Sequence, residues 1–141
     1  VWLGLDVGER RIGVAKSDPF GWIAQPFQVI VRSESVDEDI ARIVALAEEE
    51  GAKGIVVGLP LRTDGTRGPE AEQVQQFAEA LRTQTDLPIE WVDERFTTVI
   101  ANRSLQDLGI RGSARTKRVD QVAAALILQT FLDRRRHDGT R

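Results

Sequence analysis

Residues 3–18 read Leu-Gly-Leu-Asp-Val-Gly-Glu-Arg-Arg-Ile-Gly-Val-Ala-Lys-Ser-Asp. An apolar run ends on one carboxylate, Asp6, and a short Gly-containing turn follows. A second apolar run, Ile12–Ala15, comes next. Two such runs around a short turn predict a β-hairpin. The hairpin carries an acid among neighbours that all favour burial. A carboxylate there costs several kcal/mol of desolvation unless something offsets its charge. A basic side chain, a metal ion or a hydroxyl-bearing substrate must account for Asp6.

Outward from the hairpin, the chain alternates between two hydrophobic periods. Residues 2–7 and 11–17 read as strands one and two. Trp22–Val31 reads as a third, antiparallel strand after the turn Asp18-Pro19-Phe20-Gly21. Pro26 demotes that strand to a sheet edge. Val36, Ile40, Ile43, Val44 and Ala47 predict a helix over 36–50, with Gly51 as its stop. Gly54–Leu59 is a continuous apolar run, expected of a strand buried on both faces. Ala71, Val74, Phe77, Ala78 and Leu81 mark a second helix, and Ile89–Val92 a short buried strand. Helices are expected over 97–108 and Val119–Phe131. The Gly/Ser/Arg/Lys-rich stretch 110–117 reads as a mobile loop, and Arg134–Arg141 as a frayed, flexible tail. Trp2, Trp22 and Trp91 all fall in predicted strands, as core or sheet-edge residues rather than stacking platforms.

The element order is β-β-β-α-β-α-β-α-α. Three antiparallel strands followed by βα units predict an α/β domain over 1–141, with one mixed five-stranded sheet and helices on both faces. Right-handed crossovers place strand four beside strand one, giving the order 3-2-1-4-5. Strands one, four and five then end on the same side, where open α/β sheets bind ligands.

Composition narrows the chemistry. The 141 residues contain no cysteine, and the single histidine, His137, lies in a polar stretch. Thiolate metal sites and histidine-based catalytic pairs are therefore not expected. No apolar run approaches the ~18 residues of a membrane span, and no signal-peptide pattern opens the chain, so a cytoplasmic protein is expected. Net charge is −3, unevenly spread. Residues 1–94 hold 9 Lys/Arg against 18 Asp/Glu, and residues 95–141 hold 10 against 4. Such asymmetry hints at an anionic partner.

Three acidic positions fall at the expected crevice. Asp6 lies late in strand one, Asp93-Glu94 follows strand five, and Asp120 opens the last helix. Asp120 continues the stripe Ala123, Ala124, Ile127 and Phe131. Each acid alone has an ordinary reading: Asp6 paired with Arg10 or Arg11, Glu94 solvated, Asp120 favoured by the helix macrodipole. Together they repel unless a cation sits among them. Oxygen-only ligands suit Mg²⁺ or Mn²⁺. Two such ions roughly 4 Å apart can activate water against a phosphodiester. Basic groups fit the same picture: Arg95 beside Glu94, and Arg111, Arg115, Lys117 and Arg118 before Asp120. The long polar stretch Leu59–Gly68 adds Arg62, Thr63, Thr66 and Arg67 as backbone contacts, with Asp64 as a secondary acid.

Four ordered pieces resemble the YqgF family, also called RuvX, of ribonuclease H-like nucleases. They are Leu5-Asp6-Val7-Gly8 with Ile12-Gly13-Val14-Ala15, Ile55–Leu61 with Asp64-Gly65-Thr66, Val92-Asp93-Glu94-Arg95 with Thr97-Thr98, and Lys117 with Val119-Asp120 and Ala123-Ala124. The first piece alone is shared with sugar-kinase and actin-like ATPases. The resemblance implies an RNase H-like sheet and a metal-dependent nuclease with Asp6, Glu94 and Asp120 as its acidic triad. It also implies processing of the 5′ end of pre-16S ribosomal RNA or, alternatively, Holliday-junction resolution on branched DNA. A homodimer would suit the symmetric cuts of a four-way junction, and a monomer would suffice for RNA trimming. An actin-like ATPase needs two domains closing over a nucleotide, more than 141 residues supply. A non-catalytic nucleic-acid-binding module is the other alternative, and the intact acids argue against it.

Overall fold

Gly8-Glu9-Arg10 turns β1 (Leu3–Val7) back into β2 (Arg11–Ser17), and the Gly8 N–H donates to the Arg11 carbonyl at 2.9 Å. The computed structural model describes residues 1–61, 64–94 and 113–137; for 113–118 and 137 it describes the backbone alone. The expected helix over 97–108 lies outside the described residues.

β2 continues into β3 (Ala24–Val31), which lies at the sheet edge. Pro26, which has no N–H to give to a ladder, sits opposite Ala15 beside a register shift at Val14/Ala15. β3 begins two residues later than the sequence pattern predicts. The carboxylate of Asp18 accepts the N–H groups of Trp22 and Ile23 at 2.7 and 2.8 Å, which holds both residues in the preceding loop. Trp2 likewise precedes β1, so of the three tryptophans only Trp91 lies in a strand.

The crossovers deliver the expected parallel strands. α1 (Val36–Glu50) starts at Ser35, whose hydroxyl accepts the Glu38 N–H, and stops at Gly51 in the left-handed region at φ 64°. β4 (Ile55–Leu59) pairs parallel to β1, and α2 (Pro69–Arg82) leads to β5 (Ile89–Asp93), parallel to β4. The sheet order is β3-β2-β1-β4-β5.

Strand alternation divides the interior in two. Leu3, Leu5, Ile12, Val14, Ile55 and Val57 face α1 and α2, meeting Ile40, Ile43, Val74, Phe77 and Leu81. The intervening positions face α3 (Ser113–His137), where Ala15, Val56 and Val92 meet Ala123, Ala124, Ile127, Leu128 and Phe131. Helices thus cover both faces.

α3 corrects two expectations. Residues 113–117 are helical rather than loop, and Arg134–His137 are helical rather than a frayed tail. No Gly or Pro interrupts 113–137, and Ala, Arg and Lys are strong helix formers. The glycine signal that suggested a loop stops at Gly112. At the other end, the Arg134 guanidinium donates to the Trp91 carbonyl at 3.2 Å, and Arg135 and Arg136 stack over Trp2 and Trp22. Basic residues in a last helical turn also complement the macrodipole.

Candidate active site

Asp6 is the fourth residue of β1 and is 4% exposed. It stands directly opposite Gly13 of β2, so both point to the α3 face. Alternation along β5 puts Val92 on that face and Asp93 on the other. Glu94, the next residue, returns to the α3 side and is 2% exposed. Asp120 reaches the same face from α3, two turns into the helix. All three acids therefore lie on one face, two of them at the carboxyl ends of the parallel strands β1 and β5.

Two glycines make this possible. A Cβ on Gly13 would come within 2.1 Å of the Asp120 carbonyl oxygen and 3.2 Å of the Asp120 Cβ. Only glycine lets α3 lie this close to β2, over the residue paired with Asp6. A Cβ on Gly58 would meet Glu94 Oε1 at 2.9 Å and Ile127 Cδ1 at 2.5 Å. The space left by that missing methyl holds the Glu94 carboxylate. Small residues on β2 and β4 thus set the height of the helix and the seat of an acid.

Arg11 completes the cluster. It shares the Gly13 face, and its Nε lies 2.6 Å from Asp120 Oδ2. The sequence offered Arg11 as a partner for Asp6; its ion pair here is with Asp120. Strand alternation contained the signal, because Arg11 and Gly13 are two residues apart.

The acids are all oxygen donors without His or Cys, which suits a hard divalent cation. The burial of Asp6 and Glu94 on one face with the partly buried Asp120 fits such an ion. Among the described residues, however, no three acids are gathered tightly enough to enclose one ion as they lie, and Asp120 is neutralised by Arg11. Ligation by Asp120 would need its carboxylate to exchange Arg11 for the cation.

The expected nucleic-acid contacts divide into three groups. Thr66 and Arg67 are exposed in the loop after β4, on the same edge as the acids. Asp64 Oδ1 accepts both the N–H and the hydroxyl of Thr66, at 2.9 and 2.7 Å, which shapes that turn. Arg67 donates to Gln75 Oε1 at 2.7 Å. The backbone of Arg115, Lys117 and Arg118 lies in α3 just ahead of Asp120. Arg62, Thr63, Arg95 and Arg111 lie outside the described residues.

The family model described as RuvX, Holliday junction resolvase, matches residues 1–134. The chain belongs to the RuvX family. Its relatives within that family are close. A protein of Chloroflexus aurantiacus named "Putative pre-16S rRNA nuclease" is 48% identical over 139 residues, covering 99% of this chain and 90% of the relative. One of Moorella thermoacetica with the same name is 44% identical, covering 97% of each. Among solved structures, RuvC of T. thermophilus in complex with a Holliday junction substrate aligns over 99% of this chain and 96% of its own. The TM-score is 0.60 at 14% identity. The fowlpox virus Holliday junction resolvase aligns with a TM-score of 0.54 at 9% identity, over 94% of this chain and 97% of its own. Those two likenesses establish the RNase H-like fold, and membership of the RuvX family marks the chain as a nuclease.

Proposed function

We propose that this RuvX-family chain is a divalent-metal-dependent endonuclease that processes the 5′ end of pre-16S ribosomal RNA in the cytoplasm. The observation that carries the reading is the placement of Asp6, Glu94 and Asp120 on one face of the sheet, with Gly13 and Gly58 leaving room for them. The names of the 44–48% identical relatives support the substrate.

Asp6, Glu94 and Asp120 would hold Mg²⁺ or Mn²⁺, as a pair of ions. When bound, such ions supply Lewis acidity that activates water and stabilises the leaving oxygen of a phosphodiester. The chain's own contribution is positional. Asp6 is fixed by its pairing with Gly13 of β2, one residue past the last β1–β4 pair, and Glu94 by its seat against Gly58. Thr66, Arg67 and the basic start of α3 border the same edge and would hold phosphates on either side of the cut.

Holliday-junction cleavage is the second reading, favoured by the family's description. A homodimer would suit its symmetric cuts, whereas a monomer suffices for RNA trimming. One experiment separates the two readings: parallel cleavage of single-stranded RNA, structured ribosomal RNA precursor and a four-way DNA junction, with Asp6→Asn as control. Preferential cutting of the precursor supports the first reading, and preferential, paired cutting of the junction supports the second.

A further inference from the structure

The opposite pole of the sheet carries a second constellation that the acid cluster does not use. The loop between β2 and β3 is tightly built. Asp18 accepts the N–H groups of Phe20, Trp22 and Ile23 at 3.2, 2.7 and 2.8 Å, and Gly21 turns the chain at φ 74°. This fixed loop displays large apolar side chains to water. Phe20 is 83% exposed, Ile23 60% and Trp22 41%. Rigid presentation of exposed aromatic surface is a mark of an interaction site.

Cations rim the same loop. Arg136 lies over the Trp22 ring at 5.1 Å, and Arg135 over Trp2 at 4.8 Å. With Lys53 they border a crevice of about 90 Å³ that Phe20 and Trp22 also line. Among the described residues, Asp18 is engaged by the loop backbone, and Asp133 by Gln129 and by Arg136, whose charge it offsets. Exposed aromatic surface bordered by guanidinium and ammonium groups fits nucleotides, whose bases stack on aromatic rings while their phosphates pair with cations. A second copy of this chain fits less well, because a two-fold contact would press two cationic rims together.

We propose that this crevice is a second, non-catalytic contact for single-stranded nucleic acid, with an unpaired base stacked on Phe20 beside Trp22 and the flanking phosphates held by Lys53 and Arg135. The proposal rests on the nucleic-acid substrate assigned above. It adds a place for the substrate strand outside the cut. From Asp120 to Arg136 along α3 is about 24 Å at the helical rise, so one strand touching both sites would lie along the α3 side of the molecule.

The test is binding in EDTA, which prevents metal-dependent cleavage. The probe is a labelled single-stranded oligouridine of about 16 nucleotides, the upper end of common single-strand site sizes, beside the same strand annealed to its complement. The single strand should quench tryptophan fluorescence more than the duplex does. Phe20→Ala with Ile23→Ser, both at exposed positions, should weaken single-strand binding about five- to tenfold, the loss of one stacked base. Trp22→Phe keeps a ring, so it should abolish most of the quench and retain the affinity. Unchanged affinity in the Phe20/Ile23 double variant would overturn the proposal. So would a dimer in sedimentation that this variant dissolves without loss of probe binding, which would give the surface to a second copy. The readout needs no cleavage. A parent protein that binds through this crevice but never cuts would break the nuclease reading and leave the crevice standing.

Discussion

The two faces of the same sheet are built to opposite rules. Toward α1 and α2, the central strands present Leu3, Leu5, Ile12, Val14, Ile55 and Val57, all fully buried branched aliphatics. Toward α3, the alternating positions of those strands are Gly4, Asp6, Arg11, Gly13, Ala15, Val56 and Gly58. One face fills its space with side chains. The other empties it, so that a single helix lies close and carboxylates fit beneath it. The first face supplies most of the apolar burial, and the second places the chemistry. A sheet that did both on one face would have to bury its acids among branched side chains, at a large desolvation cost.

Substitutions can break this contrast in graded ways. Leu5→Ala on the aliphatic face should cost about 2–5 kcal/mol of stability, read from denaturant unfolding. It should leave cleavage per folded molecule close to the parent's. Gly13→Ala on the other face should also be destabilising, because the added Cβ meets the Asp120 backbone, which cannot swing aside as a side-chain tip does. Its effect on activity should be far larger, since the Asp120 backbone must move from 2.1 Å to ordinary contact. A Gly13→Ala protein as active as the parent would break the link between helix height and site.

That link also marks the limit of what the sequence discloses. The hairpin, the edge role of Pro26, the limits of α1 and the strand order are all legible, because each rests on local periodicity, turn residues or crossover handedness. The start of α3 is not, because a Gly-Ser signal at 112–113 looks like loop while the following Ala, Arg and Lys propagate helix. The common face of Asp6 and Asp120 is half legible: alternation gives the faces of the strands, and the helix stripe gives the side of Asp120. The Arg11–Asp120 pair joins residues 109 apart in sequence, and no local pattern links them. The glycines at 13 and 58 read only as members of apolar strand runs until the helix is seen above them.

Acid pH sharpens the comparison from the aliphatic side. Asp39 is fully buried beside that core. Burial alone would raise its pKa, but the Ser33 N–H and hydroxyl and the Arg32 guanidinium together hold it below the ordinary carboxylate value. A depressed folded-state pKa means that its stabilisation is present above the unfolded value of about 3.9 and disappears as pH falls through the folded one. Thermal unfolding followed downward from pH 5 should therefore show a loss of stability below about pH 4 that is smaller in Asp39→Asn. The slightest effect is expected at the basic start of α3. Lys117→Ala should lower substrate affinity modestly and reduce the salt slope of binding by about one, measured by titration at several ionic strengths.

The most direct test takes Asp6→Asn and Glu94→Gln through two readouts together: cleavage of the ribosomal RNA precursor in Mg²⁺ or Mn²⁺, and thermal unfolding without metal. The site described here predicts cleavage lost in both variants with a cooperatively folded state retained. Full metal-dependent cleavage by the Asp6→Asn protein would contradict it.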